Sequence, residues 1–266
     1  MVFTLTACFG PPKMQATSDD IKRFSIGNVD VDNMRVNYLY NGENNGYPVI
    51  FIHGTPGDAE SWADMLLNSP PHFQYISMDR LGFGNSAPKT AITDLKTHAK
   101  SVKAIADLYG NKKPILLGHS YGGPVVVQAA LDYPDAFAGI IIAAGALDPA
   151  LEETHFLQKI GDTWPISTWI PRMLRNANHE LFALKDELIA LQPRLVDLTT
   201  PTFIVHGEED SLVPIENVPY MHKYFPKDVI IGEIIIPDRN HFLQINSVKE
   251  LNQSVLQLAD YLIIGD

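Results

Sequence analysis

The stretch Ile115-Leu116-Leu117-Gly118-His119-Ser120-Tyr121-Gly122-Gly123 decides the fold. Ile115 to Leu117 is an apolar run of the kind that fills a buried parallel strand. Pro124 to Tyr133 is long and apolar enough to be a buried helix. Only a few residues remain to turn the strand into the helix. So tight a corner needs close backbone approach, which Gly118 and Gly122 permit, while Gly123 relieves the start of the helix. Ser120 then stands at the tip, side chain outward, with a helix N-terminus behind it. A Gly-x-Ser-x-Gly corner with a strand before it and a helix after it is a nucleophile elbow.

Working outward, the same alternation recurs. Phe24 to Val29 and Met34 to Leu39 read as strands, with Asn41-Gly42 and Asn45-Gly46 as turns. Pro48 to Ile52 is a nearly all-apolar, central strand ending in His53-Gly54-Thr55-Pro56-Gly57. Glu60 to Leu67 has helical spacing. Tyr75 to Asp79 is a strand leading into the Gly-rich loop Arg80-Leu81-Gly82-Phe83-Gly84-Asn85-Ser86. That loop is structural, because it lacks the third glycine and the immediate helix of a dinucleotide site. Leu95 to Leu108 is an amphipathic helix capped by Gly110-Asn111, and Gly139 to Ala144 is another buried strand. After a break, strands at Pro201 to Val205 and Val229 to Ile236 alternate with helices at Ile215 to Tyr224 and Val248 to Leu262. This rhythm predicts an α/β fold, a mostly parallel doubly wound sheet of about eight strands.

The break divides the chain. Residues 1–22 form a flexible tail, 23–146 and 197–266 the core, and 147–196 a small helical cap over the carboxyl ends of the strands, where open α/β sheets hold their pockets. The cap is expected to contain helices at Leu151 to Ile160 and Glu180 to Leu191. Trp164 and Trp169 are candidates for the pocket lining, with gluing cap to core as the competing reading.

The net charge of −11 over 266 residues argues against nucleic acid or an anionic membrane as partner. No stretch approaches the roughly 20 apolar residues of a spanning helix. The lone Cys8 excludes an internal disulfide. Leu5-Thr6-Ala7-Cys8 is similar to a bacterial lipobox but lacks a basic leader and most of an apolar core. Two readings of localisation stand open: a lipid-tethered protein whose start lies upstream of Met1, or a cytoplasmic protein with a chance cysteine. Oligomeric state leaves no mark on the sequence.

A serine hydroxyl is a poor nucleophile unless a base lies in hydrogen-bond reach and an acid orients that base. After an elbow, acid and base follow the serine in the order Asp or Glu, then His. Two loops directly after strands qualify, Glu208-Glu209-Asp210 and Asn240-His241. The expected set is therefore Ser120, His241 as base, and an acid from among Glu208, Glu209 and Asp210. The Tyr121 N–H, at the helix start, and the Thr55 N–H, after the central strand, are the expected donors to a developing oxyanion. Of the other histidines, His53 is read as a structural hydrogen-bonding residue and His206 as a half-buried spacer. His72, His98, His155, His179 and His222 are read as surface residues. None has metal-ligand spacing, so no metal site is expected.

Taken together, His53-Gly54-Thr55-Pro56-Gly57, Asp79-Arg80-x-Gly82-x-Gly84-x-Ser86, Gly118-His119-Ser120-Tyr121-Gly122-Gly123, Gly207-x-x-Asp210 and Asn240-His241-Phe242 resemble the α/β-hydrolase superfamily across nearly the whole chain. The resemblance implies that fold, a Ser–Asp–His triad and a cofactor-free hydrolase. Its Gly-x-x-Asp-x-x-x-Pro spacing, met by Gly207, Asp210 and Pro214, favours Asp210 as the acid. Serine at 120 argues against its haloalkane dehalogenases and epoxide hydrolases, which carry aspartate there. The expected activity is hydrolysis of small or medium carboxylic esters through an acyl-enzyme on Ser120. The alternatives are amide cleavage as in proline iminopeptidases or carbon–carbon hydrolysis on the same triad, and, from another class, a non-catalytic ligand-binding protein. A cap of this length is shorter than usual in those aminopeptidases.

Overall fold

The computed structural model describes residues 13–110, 112–152 and 170–264. Eight strands form one sheet: β1 (Ser25–Val31), β2 (Met34–Gly42), β3 (Tyr47–Ile52), β4 (Phe73–Met78), β5 (Ile115–His119), β6 (Gly139–Ala143), β7 (Thr202–Gly207) and β8 (Ile230–Ile236). Their spatial order is β1-β2-β4-β3-β5-β6-β7-β8. The first two pairings, β1 with β2 and β2 with β4, are antiparallel, and the rest are parallel.

The burial of each strand explains its composition. Edge strand β1 is nowhere fully buried, which suits its alternation of polar and apolar residues. Strands β5 and β6 are buried at every position, so they read as unbroken apolar runs. Within them, side chains still alternate between faces. Ile50, Ile52, Leu116, Ile140 and Ile142 pack on one side with helices α3 (Leu95–Ala106) and α4 (Gly122–Asp132). Val49, Phe51, Leu117, Ile141 and Val205 pack on the other with α2 (Ala63–Leu67) and α8 (Val248–Ile264). Two apolar layers therefore sandwich the sheet. α6 (Asn217–Tyr224) joins the first layer through Val218 and Met221. Short helix α7 (Leu243–Asn246) precedes α8.

Several boundaries moved. The segment expected to be a helix from Glu60 opens as a 3-10 turn, Ala59–Trp62, before α2. Within the stretch read as a flexible tail, α1 (Ser18–Ile21) is capped by Thr17, and the Gln15 and Ala16 N–H groups donate to the Asp64 carboxylate at 2.9 and 2.6 Å.

The larger difference lies in the segment between β6 and β7. The helix expected from Glu180 starts at Arg172 and runs to Leu191 as α5. Its first two turns carry no apolar stripe because they dock through polar side chains. Asn176 Nδ2 donates to Gly82 O and Lys89 O at 2.8 and 2.9 Å, and Arg172 Nη1 donates to Gly82 O at 3.0 Å. The later turns dock through Leu184, Leu188 and Leu191. The helix expected at Leu151 to Ile160 falls almost wholly outside the described residues, as do Trp164, Trp169 and Cys8.

Candidate active site

At the end of β5 the corner is as tight as its glycines suggest. A Cβ on Gly118 would lie 2.1 Å from Gly122 O, and one on Gly122 would lie 2.3 Å from Ile52 O. Ser120 itself sits at φ 56°, a left-handed conformation that costs a non-glycine residue about 1–3 kcal/mol. The surroundings hold it there: Ser120 N donates to Ala143 O, and Ser120 O accepts from Gly123 N and Ala146 N. Strain at one residue, held by its neighbours, keeps the side chain at the mouth of a cavity.

That cavity measures about 600 Å³ and is lined from four strand ends and the inserted segment. His53, Gly54 and Thr55 follow β3, Ser120 and Tyr121 follow β5, Leu212 and Val213 follow β7, and His241 follows β8. Since β3 lies between β4 and β5, the cavity opens where the strand order reverses, the general ligand position in such sheets. Leu151, Leu181 and Leu184 of the inserted segment line it together with Leu212, Val213 and Pro214. Of the described residues lining it, none is Lys or Arg, and the one carboxylate is Glu152. Burial pushes the Glu152 carboxyl above its usual range, with Lys185 opposing. A larger groove of about 810 Å³ runs along α8 past Asn68 and Arg239 and contains none of the candidate residues.

His241 Nδ1 lies 2.7 Å from Asp210 Oδ2. The second carboxylate oxygen of Asp210 accepts from Leu212 N at 2.9 Å and Val213 N at 2.8 Å. Burial alone would push the Asp210 carboxyl up, but the His241 bond and charge and these two amides hold it below its usual value. An ionised acceptor at Nδ1 assigns the ring proton there, which leaves His241 Nε2 with a free lone pair. Glu208 and Glu209, the other acids considered, are exposed, whereas Asp210 is buried.

The elbow's His119 holds the base loop in place. Its Nε2 lies 2.7 Å from His241 O, and the two rings pack with centroids 4.6 Å apart. Burial, then the neighbouring His241 charge, depresses His119 to about 3, so the ring is neutral. His206 is buried completely, correcting the half-buried expectation. Its Nε2 bonds Val213 O at 2.9 Å and lies 3.7 Å from Asp210 Oδ2, bracing the acid loop.

His53 is the structural residue expected. Its Nε2 accepts from Arg80 N at 3.0 Å, so the proton sits on Nδ1, which donates to Gly54 O at 2.7 Å. Burial and the adjacent Arg80 charge drive its basicity well below the usual value. His98, expected on the surface, is fully buried, with Nε2 3.3 Å from Glu180 Oε1 and 2.9 Å from Ile92 O. His72 and His222 are exposed, His179 is partly buried and His155 lies outside the described residues. The buried Arg80–Glu180 pair was not anticipated. Arg80 belongs to a recognisable loop motif, but nothing in the polar run before Glu180 marks that residue as buried.

In the Gly-rich loop, Asp79 accepts from Ala59 N, Asn85 N and Asn37 Nδ2, and a Cβ on Gly84 would lie 2.0 Å from its carboxylate. The loop is thus held by its own Asn85 N–H, by the neighbouring Ala59 and Asn37, and by Arg172 and Asn176 of α5. Among the described residues no group of three or more His, Cys, Asp or Glu is arranged to hold a metal ion, and no helix is long and apolar enough to cross a membrane.

Comparison with known proteins agrees with this architecture. The family described as alpha/beta hydrolase fold matches residues 47–166, which span β3, the elbow and β6. A crystal structure described as a putative aryl esterase from Burkholderia cenocepacia superimposes with a TM-score of 0.74 at 21% identity, covering 90% of this chain and 99% of that one. The chain has the α/β-hydrolase fold.

The proteins it resembles are chemically diverse. Haloalkane dehalogenase 2 of Mycobacterium tuberculosis is 21% identical, covering 85% of this chain and 92% of its own length. A shorter match, 33% identical over 115 residues, is to the dihydrolipoyllysine-residue acetyltransferase component of the acetoin cleaving system of Cupriavidus necator. It covers 43% of this chain and spans only 30% of that protein.

Proposed function

We propose that this α/β-hydrolase is a serine hydrolase that cleaves small or medium carboxylic esters through an acyl-enzyme on Ser120. The observation that carries the reading is that His241, paired with Asp210, lines the same cavity as the elbow serine. In the reaction, Ser120 Oγ attacks the acyl carbon as its proton passes to His241 Nε2. Asp210 holds the imidazole and stabilises the imidazolium. The negative charge that develops on the carbonyl oxygen is received by the Thr55 and Tyr121 N–H groups; losing one such donor costs on the order of 3 kcal/mol. His241 then returns the proton to the leaving alkoxide, and water repeats the sequence to free the acid.

The cavity walls favour an aliphatic acyl group lying between the leucines of the inserted segment, acting as a cap, and Leu212, Val213 and Pro214. Serine at the elbow disfavours the dehalogenase and epoxide hydrolase chemistries that use aspartate there. Glu152 supports a second reading, amide cleavage of substrates with an amino group, because a half-buried carboxylate in the cavity attracts an ammonium. A panel of p-nitrophenyl esters, a proline arylamide and a vinylogous diketone tests these readings, with Ser120→Ala as the control. Ester turnover that drops about a million-fold in Ser120→Ala supports the first reading. Turnover confined to the arylamide supports the second, and activity unchanged in the variant refutes both.

A further inference from the structure

We propose that Glu180, a residue of the inserted helix α5, acts through Arg80 as the positioning device of the oxyanion hole. The inference rests on the serine-hydrolase reading, in which the Thr55 and Tyr121 N–H groups receive the oxyanion.

Arg80 is fully buried and reaches the carbonyl that precedes Thr55 and the ring of Tyr121. Its Nε donates to His53 O at 2.9 Å and its Nη2 to Gly54 O at 3.0 Å. Gly54 O also accepts from His53 Nδ1. The Gly54 carbonyl belongs to the same peptide unit as the Thr55 N–H. That peptide is trans, so its C=O and N–H point in opposite directions. Fixing the carbonyl on the guanidinium therefore turns the Thr55 N–H away from it. The loop is close to the nucleophile, since a Cβ on Gly54 would lie 2.8 Å from Ser120 Cβ. Two hydrogen bonds into the carbonyl also polarise the amide and strengthen its N–H as a donor. On its other side, the guanidinium lies 4.5 Å from the centroid of the Tyr121 ring, the side chain of the second donor.

What sets the guanidinium is Glu180. Both its carboxylate oxygens engage Arg80, Oε1 with Nη1 and Oε2 with Nη2, the latter at 3.0 Å. The pair is completely buried and bidentate, a geometry that fixes orientation as well as distance. His98 completes the carboxylate's shell from α3. A buried pair of this kind is weak evidence for stability, which leaves its position beside the site as its informative feature. Glu180 comes from a segment inserted between β6 and β7, whereas everything it steers belongs to the core. Docking of the inserted helix and alignment of the oxyanion donors are thereby one event.

The test is kinetic. Glu180→Gln keeps the shape of the side chain and removes its charge. With p-nitrophenyl acetate, and with active sites counted by fluorophosphonate titration, its kcat is expected to fall about 10- to 100-fold while KM changes less than about threefold. Glu180→Asp, which keeps the charge, is expected to recover part of the loss. Glu180→Gln leaves a buried charge unpaired and can fail to fold, so the double variant Arg80→Met with Glu180→Met is measured alongside it. That variant leaves no charge unpaired; it loses the guanidinium's bonds to His53 O and Gly54 O, so it is expected to unfold cooperatively at a somewhat lower temperature than the wild type and to show the same loss of kcat. Wild-type kcat per titrated site in the folded double variant would overturn the inference. So would a loss confined to the number of active sites. Ser120→Ala and labelling of the wild type test the hydrolase reading separately. If they succeed while the Glu180 variants turn over normally, only the positioning role falls; if the wild type neither labels nor turns over, both fall.

Discussion

His241 Nδ1 stands 2.7 Å from Asp210 Oδ2, and Asp210 uses its other oxygen to take two backbone amides of its own loop. The acid is therefore fixed before it fixes the base. Asp210→Asn keeps the size of the side chain but removes the ionised acceptor that holds the proton on Nδ1. We expect kcat on an activated ester to fall about 10⁴-fold with KM nearly unchanged, measured by steady-state kinetics near pH 7. A fall of less than tenfold would mean that the acid lies elsewhere.

The elbow should tolerate no side chain at its glycines. Gly118→Ala drives a methyl group into the Gly122 carbonyl, and Gly122→Ala drives one into Ile52 O. Backbone atoms cannot yield as a flexible side chain can. Each variant is expected to lose about 3 kcal/mol or more of stability, read from urea unfolding midpoints. An alanine at Gly110, where an added Cβ meets nothing within 4 Å, should cost only the backbone strain of φ 60° with ψ −115°, about 1–3 kcal/mol.

Acid should destabilise the protein well before ordinary carboxylates titrate. His53, His119 and His206 are buried neutral, their basicity depressed first of all by burial. Below the usual value of 6.5 the unfolded chain takes up protons on these imidazoles that the folded protein refuses. Each therefore contributes stability that is present above pH 6.5 and lost as the pH falls towards its folded value, about 3 for His119. The slope per histidine reaches about 1.4 kcal/mol per pH unit. Asp210 and Glu180, both held below their usual values, extend the loss below pH 4.5. Urea midpoints should be level above pH 7 and fall steadily from pH 6.5 to 5. A level profile down to pH 5 would contradict the burial of three neutral imidazoles.

How much of this was legible in the sequence depended on whether burial was driven by apolar surface. Ile115 to Leu117 and Gly139 to Ala143 announced their strands because both faces are covered, and the elbow glycines announced a corner because nothing larger fits. The order of motifs after the strands then brought residues 120, 210 and 241 to one rim. The inserted helix was only half visible. Its docking turns use Arg172, Asn176 and Glu180, whose polarity reads as exposure unless the partner is known. His98 was misplaced for the same reason, since its burial is supported by a carboxylate from a distant helix. Polar residues buried by polar partners leave no period in a sequence.

The most direct measurement is mass spectrometry of the intact protein and its peptides after exposure to a fluorophosphonate. We expect one adduct per chain, on Ser120, with ester hydrolysis lost in proportion to labelling and neither labelling nor turnover in Ser120→Ala. An unlabelled Ser120 in folded protein, or hydrolysis that persists after its complete modification, would contradict a nucleophilic serine at the elbow.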